Sequence, residues 1–206
     1  KCGVKSIEHG YIMNEETAAI MAESGAYLVP TLAVSAACDY LEKHNLTLEA
    51  ILLTHGHFDH VGAVKELCAA TGCAVYLCED DLLMPPNMTA GPLHYTDNYG
   101  EGDVLELAGL RIQVLHTPGH TPGHVVLFEP KTKNLFTGDT LFRESIGRTD
   151  LPGGEYGTII RSILNNIIPL GDEVTIYPGH AEKSSIGHES LYNPFVVEAI
   201  NGEINF

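Results

Sequence analysis

The feature that most constrains this chain is a cluster of histidines between an apolar run and a helical pattern. The cluster reads Thr54-His55-Gly56-His57-Phe58-Asp59-His60. Residues 50–54 suit a strand buried on both faces, and residues 61–70 suit a helix that ends at Gly72. Three imidazoles and a carboxylate would therefore share one turn. Burying them is costly unless something binds them, so a metal site is favoured over a solvated loop or a satisfied histidine network.

The charge balance points the same way and argues against another class of partner. The 206 residues carry 27 acidic and 11 basic side chains, a formal net charge of −16. Contacts to nucleic-acid phosphates come from Lys and Arg, so we expect no nucleic-acid partner. Acidic groups and neutral His are instead ligands of divalent metals. No apolar run reaches the roughly 18 residues of a membrane span, so we expect no membrane partner either.

The cysteines bear on the compartment. The five Cys are scattered and never form a C-x-x-C pair. Reduced and mostly buried thiols are expected from this pattern, which favours a cytoplasmic protein. Because the sequence begins at Lys1, the removal of a targeting segment stays open.

Strand and helix patterns alternate along the chain, with several consecutive strands in the middle. This order predicts helices outside and sheets inside. Residues 82–102 are rich in Pro, Gly, Asn and Met, and we expect a long loop that covers a site. The predicted strands are 26–29, 50–54, 74–78, 104–107, 111–115, 124–128, 134–137 and 174–177, and the predicted helices are 17–24, 36–44, 61–70 and 156–168.

Three further segments place His or Asp at predicted strand ends, where loops converge on a site. The segments are His116-Thr117-Pro118-Gly119-His120-Thr121-Pro122-Gly123-His124, Thr137-Gly138-Asp139 and Tyr177-Pro178-Gly179-His180. Two Pro-Gly pairs forbid a helix in the first segment, so its three imidazoles do not share one face. Each segment alone has an equally good structural explanation. Their recurrence after four separate strands favours a metal site.

Together these four segments resemble those of the metallo-β-lactamase-fold hydrolases. The resemblance covers about residues 36–195. Residues 141–150, with Ser145-Ile146-Gly147-Arg148-Thr149-Asp150, are similar to the small glyoxalase-II-like branch. The resemblance implies an α/β protein, an αββα sandwich of the metallo-β-lactamase type that is N-terminally truncated or substituted here.

The resemblance also implies two divalent metal ions at one edge of the sandwich, with zinc expected first and manganese or iron as alternatives. The implied ligands are His55, His57 and His120 for one ion, Asp59, His60 and His180 for the other, and Asp139 bridging both. A hydroxide between two ions about 3.5–4 Å apart would be the nucleophile. Asp59 would be the catalytic residue that orients it. We expect His116 and His124 to support the ligands from behind.

The implied reaction is hydrolysis of a thioester or a small phosphate ester. Arg148 stands where glyoxalase II enzymes carry a basic residue that contacts glutathione, and an exposed salt bridge is the rival interpretation. Ala181-Glu182 follow His180, without the Tyr often found there. We also expect no helical C-terminal domain of the kind that completes a glutathione site in glyoxalase II. These departures leave the substrate open.

Three other functions stay open at this point. One is a phosphodiesterase as the main activity, and another is a metal-binding but inactive product. The third is a persulfide dioxygenase with one iron at His55, His120 and Asp139. Two His and one carboxylate form the facial arrangement of oxygen-activating iron sites.

The first 35 residues depart from the family pattern, which opens with strands that end in an Asp-Pro-Gly turn. Here a predicted strand ending at His9, a helix and a second strand resemble part of an amidohydrolase barrel. We therefore expect a gene fusion, with an amidohydrolase-like segment at 1–35 that is no independent domain, and a metallo-β-lactamase-fold domain at 36–206. Lost outer strands would expose a sheet edge, which predicts a homodimer. The alternative is that residues 1–35 replace those strands within one subunit.

Overall fold

The computed structural model describes residues 6–8, 27–29, 34–89 and 91–202. Strands and helices alternate near both ends of these residues, and strands follow one another in the middle. The strands are β1 (Ser6–Glu8), β2 (Tyr27–Val29), β3 (Ala50–Leu52), β4 (Ala74–Leu77), β5 (Asp97–Asn98), β6 (Val104–Leu107), β7 (Leu110–His116), β8 (Val125–Glu129), β9 (Asn134–Gly138), β10 (Leu141–Phe142), β11 (Ser145–Ile146), β12 (Thr175–Pro178) and β13 (Ser184–Ser185). The α-helices are α1 (Val34–His44), α2 (Phe58–Val61), α3 (Val64–Thr71), α4 (Tyr156–Ser162), α5 (Ile186–Tyr192) and α6 (Pro194–Ile200).

Two sheets form the centre of the fold. Strands β3, β4 and β5 pair in parallel in that order. The larger sheet has the order β13-β12-β9-β8-β7-β6, in which only the β9–β12 pair is parallel. The strands that precede the four candidate segments are β3, β7, β9 and β12. The fold therefore gathers segments from both sheets.

Period-two alternation explains how the sheets stack. In β8, Val125 and Leu127 face the core between the two sheets, whereas Val126 and Phe128 face the core under the helices. In β3 and just after it, Ala50 and Leu52 face the other sheet, and Ile51 and Leu53 face α1 and α3. Strands buried on both faces need a layer on each side.

The outer helices complete the layers. Side chains of α1 and α3 cover the three-stranded sheet, and side chains of α4, α5 and α6 cover the larger one. The result is an αββα sandwich, as the family resemblance implied. Within the described part of the chain, no helix is long and apolar enough to cross a membrane.

Two expectations about helices need correction. The predicted helix over residues 156–168 is α-helical only to Ser162, continues as a π-turn over Ile163–Ile167 and ends in a 3₁₀ turn at Ile168–Leu170. Pro169 has no N–H to extend an α-helical ladder, which accounts for the change at its end. Helices α5 and α6 were not predicted. Asn193 separates them, and its side chain accepts hydrogen bonds from the backbone N–H groups of Phe195 and Val196.

The N-terminal residues are described only in part. Strands β1 and β2 pair in parallel, and β2 lies beside β3 in the same chain. The predicted helix over 17–24 and His9 lie outside the described residues. The boundary between residues 35 and 36 therefore stays a prediction.

A tyrosine ties the loop over residues 82–102 to the strand that precedes the histidine cluster. The Tyr99 hydroxyl is buried and donates a 2.7 Å hydrogen bond to the Leu53 carbonyl oxygen. We expect Tyr99→Phe to lower the free energy of unfolding by about 1–2 kcal/mol, because a buried carbonyl loses its donor. Urea denaturation followed by circular dichroism measures this value. Tyr95→Phe, which removes a hydroxyl bonded to exposed Glu79, is the control, and equal values for the two variants would contradict the prediction.

Candidate metal centre

The turn after β3 brings three imidazoles into one buried space. His55, His57 and His60 are each less than 5% exposed. The rings of His55 and His60 have their centroids 3.9 Å apart, and those of His55 and His57 lie 4.9 Å apart and nearly perpendicular. Helix α2 begins directly after His57, so His60 turns back toward the end of the strand. The sequence pattern alone predicted this crowding.

A fourth imidazole joins them from the loop after β7. The His120 ring centroid lies 4.6 Å from that of His57 and 4.9 Å from that of His55. His120 Nδ1 lies 2.8 Å from the Arg148 carbonyl oxygen, which can only accept a hydrogen bond. Nδ1 therefore carries the proton, and the lone pair of Nε2 faces the other imidazoles.

Two carboxylates and a fifth imidazole complete the cluster. Asp139 follows β9, and its Oδ1 lies 3.4 Å from His60 Nε2. Its Oδ2 lies 3.6 Å from His120 Nε2 and 3.3 Å from Nε2 of His180, which follows β12. Asp59 Oδ2 approaches His180 Nε2 to 3.5 Å. The structure thus brings together all seven side chains that the resemblance implied as ligands.

The seven donors form three overlapping sets. Within each set, one ligand atom from each residue lies within 4.8 Å of the others. The sets are His55, His57 and His120; His55, His60 and Asp139; and Asp59, His60 and His180. Because the sets overlap, the cluster offers more than one position for a cation.

Burial keeps most of the imidazoles neutral. It lowers the pKa of His57 to about 4, with repulsion from His120 as a further cause. Burial also lowers the pKa of His55 and of His120. A neutral ring has a lone pair for a metal ion.

The carboxylates are ionised. Burial alone would raise the pKa of Asp59, but the His180 hydrogen bond and the charge of His60 bring it down to about 2. Burial acts on Asp139 in the same direction, and hydrogen bonds from His180 and His60 still lower its pKa well below the ordinary value. The same two carboxylates raise the pKa of His180 to about 10. The neutral rings of His55, His57 and His120 and the ionised carboxylates suit a divalent cation, whereas His180 is protonated in the metal-free protein and would release its proton on binding one.

The hydrogen bonds within the described residues leave some of these atoms unused. His55 Nε2 and His57 Nε2 are buried, and neither atom has a hydrogen-bond partner among the described residues. A buried polar atom without a partner costs about 1–3 kcal/mol. Imidazole nitrogens that face carboxylate oxygens in a buried space fit a divalent metal, so the donor set agrees with the implied cofactor.

The His124 ring contacts the backbone beside one of these donors, and its supporting role stays a prediction. Its Nε2 accepts the backbone N–H of Asp139 at 3.0 Å, and its Nδ1 lies within 3.1 Å of the hydroxyls of Thr117 and Thr140. Gly138, at φ +46°, allows this approach, because a Cβ there would lie 2.8 Å from His124 Nε2 and 2.6 Å from Thr54 Oγ1.

His116 and Arg148 lie elsewhere. The His116 ring contacts the Pro122 carbonyl oxygen at 2.9 Å and Asp80 at 3.9 Å. Neither partner is one of the seven candidate metal ligands. The Arg148 guanidinium is exposed and makes a bidentate ion pair with Asp150, at 2.7 and 2.8 Å. The role of each as a support or a substrate contact stays a prediction.

The sequence analysis missed two contributors. One is the Arg148 carbonyl, a backbone group that no side-chain pattern reveals. The other is Asp81, whose buried carboxylate bonds the loops of the site. The acidic run Glu79-Asp80-Asp81 resembles a solvated turn, and the apolar residues that follow it, Leu82 and Leu83, are themselves exposed, so the sequence carries no signal that Asp81 is buried.

Comparison with known proteins agrees with the geometry. The model of the metallo-beta-lactamase superfamily matches residues 20–180. The chain belongs to this superfamily. A curated relative, the hydroxyacylglutathione hydrolase GloC of Haemophilus influenzae, is 40% identical over 168 residues, which cover 76% of this chain and 79% of GloC.

Two solved structures are similar to this superfamily member. The B3 metallo-beta-lactamase BLEG-1 superposes with a TM-score of 0.71 at 38% identity, over 79% of this chain and 84% of BLEG-1. TTHA1623 in a di-iron-bound form gives a TM-score of 0.69 at 37% identity, over 78% of this chain and 83% of TTHA1623.

The superfamily match begins at residue 20, inside the segment predicted to resemble an amidohydrolase, and the comparisons do not support that resemblance.

The pKa values predict how the metal-free protein responds to acid. His57 has a folded pKa of about 4 against 6.5 in the unfolded chain. Between these values the unfolded state binds a proton that the folded state does not, so the free energy of unfolding falls as the pH drops from 6.5 to 4. We expect a shallower fall in His57→Gln, measured by urea denaturation of chelator-treated protein at several pH values.

The matched control is His44→Gln, which changes an exposed histidine of α1. Its slope with pH is expected to equal that of the unaltered protein. If the free energy of unfolding falls equally steeply with pH in His57→Gln and in the unaltered protein, the loss of stability in acid does not come from the buried His57 ring.

Proposed function

We propose that this chain is a binuclear metal-dependent hydrolase that acts on thioesters in the manner of glyoxalase II. The observation that carries the proposal is the position of Asp139. Its Oδ1 faces His60, and its Oδ2 faces His120 and His180. A single carboxylate between two sets of imidazoles is suited to bridging two cations.

Each side chain would have a distinct task in this reaction. Two divalent ions would polarise the substrate carbonyl and lower the pKa of a water molecule. His55, His57 and His120 would hold one ion, and Asp59, His60 and His180 the other. Asp59 is half-buried and faces His180, so its carboxylate could also orient the water toward the carbonyl carbon while it binds the ion. The Arg148 carbonyl would keep His120 in the tautomer that presents Nε2.

Similarity to GloC favours thioesters over other esters as the substrate. GloC, named as a hydroxyacylglutathione hydrolase, shares 40% identity with this chain. The metals proposed are two zinc ions, with iron as an alternative because TTHA1623 was solved in a di-iron form. A hydroxyacylglutathione thioester is therefore the first substrate to test.

The bridging role of Asp139 predicts a combined loss of metal and activity. We expect elemental analysis to find about two zinc or iron ions per chain and Asp139→Asn to lose about one of them, because two-metal sites need a shared ligand. Thioester kcat/KM should fall at least 100-fold, about 2.7 kcal/mol of transition-state stabilisation. Asp97→Asn, at an exposed aspartate, should retain both ions and full activity. Two retained ions in Asp139→Asn would refute the bridge.

The position of Arg148 predicts a binding effect. The Arg148 backbone carbonyl contacts His120, and the guanidinium of the same residue is exposed, so it can leave Asp150 for the carboxylates of a glutathione moiety. We expect Arg148→Ala to raise KM for a glutathione thioester about tenfold, about 1.4 kcal/mol, with kcat unchanged. KM for a thioester without glutathione should not change. Arg111→Ala, at another exposed arginine, is the control, and an unchanged KM for the glutathione thioester would support the salt bridge as the only role.

The same assays separate the other proposals. About one iron per chain together with oxygen uptake on glutathione persulfide would replace the hydrolase by a dioxygenase. Faster turnover of bis(p-nitrophenyl) phosphate than of any thioester would make phosphodiester hydrolysis the main activity. Bound metal with no turnover would identify an inactive member.

The homodimer, the gene fusion and the cytoplasmic location stay proposals. Light scattering at micromolar concentration tests the homodimer.

A further inference from the structure

Asp81 is a buried carboxylate in an exposed acidic turn. It lies in the 3₁₀ turn Glu79–Leu83 and is 0% exposed, whereas its neighbours Asp80 and Leu82 are exposed. A carboxylate is costly to bury unless hydrogen bonds replace its water.

Two of its hydrogen-bond partners are backbone N–H groups of the loops that carry the metal donors, and the Thr121 side chain in the second of these loops also interacts with the carboxylate. Asp81 Oδ2 accepts the N–H of Gly56 at 2.7 Å, and Oδ1 accepts the N–H of Gly123 at 2.6 Å. Gly56 stands between His55 and His57. Gly123 lies in the other loop, three residues after His120 and directly before His124. One side chain thus joins two loops that are far apart in sequence and supply four imidazoles.

The loop of Gly123 packs tightly against Asp81. A Cβ on Gly123 would lie 2.6 Å from the Asp81 backbone nitrogen and 2.9 Å from Oδ1. The loop therefore sits directly on the acidic turn, and glycine is the residue that fits there. Each oxygen serves a different loop, so the carboxylate sets the distance between them.

We propose that Asp81 is a positioning residue of the metal centre, which fixes the separation between the His55/His57 turn and the His120 loop. This inference rests on the proposed metal site. An apolar residue would fill the space, but it would leave two N–H groups buried without acceptors. Asparagine would keep the shape and one acceptor, and its amide N–H₂ would face the second backbone N–H.

The test uses cobalt(II) as the probe on the full chain. We expect Asp81→Asn to bind Co²⁺ about 10–100-fold more weakly in chelator competition, the usual effect of losing a group that orients metal ligands. Its visible cobalt absorption should also shift, because the separation of the imidazoles changes. Circular dichroism confirms the folded fraction at the assay temperature. The control Asp80→Asn makes the same change one residue away at an exposed position, and it should match the unaltered protein.

The outcomes separate this inference from the proposed function. Unaltered protein that binds no Co²⁺ would refute the metal site itself. Unaltered protein that binds Co²⁺, together with an Asp81→Asn variant of equal affinity and spectrum, would refute only the role of Asp81. A lower melting temperature with unchanged cobalt binding would also refute it, because a carboxylate that only stabilises the fold leaves the spectrum unmoved.

A second variant approaches the same contact from the other side. Gly123→Ala should push its loop off the acidic turn and weaken Co²⁺ binding in the same range as Asp81→Asn. Gly100→Ala, at a glycine with open space around it, should bind as the unaltered protein does. Where Asp81→Asn does not fold, the cobalt affinity of Gly123→Ala decides, and an unchanged value overturns the inference.

Discussion

The burial of four imidazoles and a carboxylate in one small space is the constraint on which the rest of this structure depends. His55, His57, His60, His120 and Asp139 are all less than 10% exposed. Polar groups at such burial destabilise a fold unless partners or a bound ion compensate. Burial lowers the pKa of His55 and His57 for the same reason, because a charged imidazole is costly to bury. Divalent cations would turn the same crowding into a favourable interaction.

Backbone groups provide much of the precision of the centre. The Arg148 carbonyl orients His120, and the Asp139 N–H bonds His124, which itself stacks on His55. Asp81 reverses the arrangement, with a side chain that holds two backbone N–H groups. Rigid supports of this kind keep ligands near one geometry and so raise metal affinity. They also come from segments far apart in the chain, which couples the site to the packing of both sheets.

On the N-terminal side of the sandwich, the comparisons do not support a resemblance that the sequence suggested. The segment ending at His9 resembles a strand of another enzyme class, but the superfamily match already begins at residue 20. Strand β2 lies beside β3, next to the sheet that carries His55. A short strand–helix–strand pattern occurs in many α/β folds, so its residues alone do not distinguish among them.

The sequence by itself determined the layers and the candidate donors. The continuous apolar run of β8 indicates a strand with a layer on each face, and the motifs after four strands carry the resemblance that implied the sandwich and its ligands. Only the tertiary structure decided which imidazoles meet, that Arg148 contributes its carbonyl, and that Asp81 rather than Asp80 is buried. The helix after Tyr156 also changed type at Ile163, under packing that periodicity does not encode. The physical reason is common to these cases: period and composition report which face is apolar, whereas hydrogen bonds between distant loops depend on distances that exist only after the sheets have stacked.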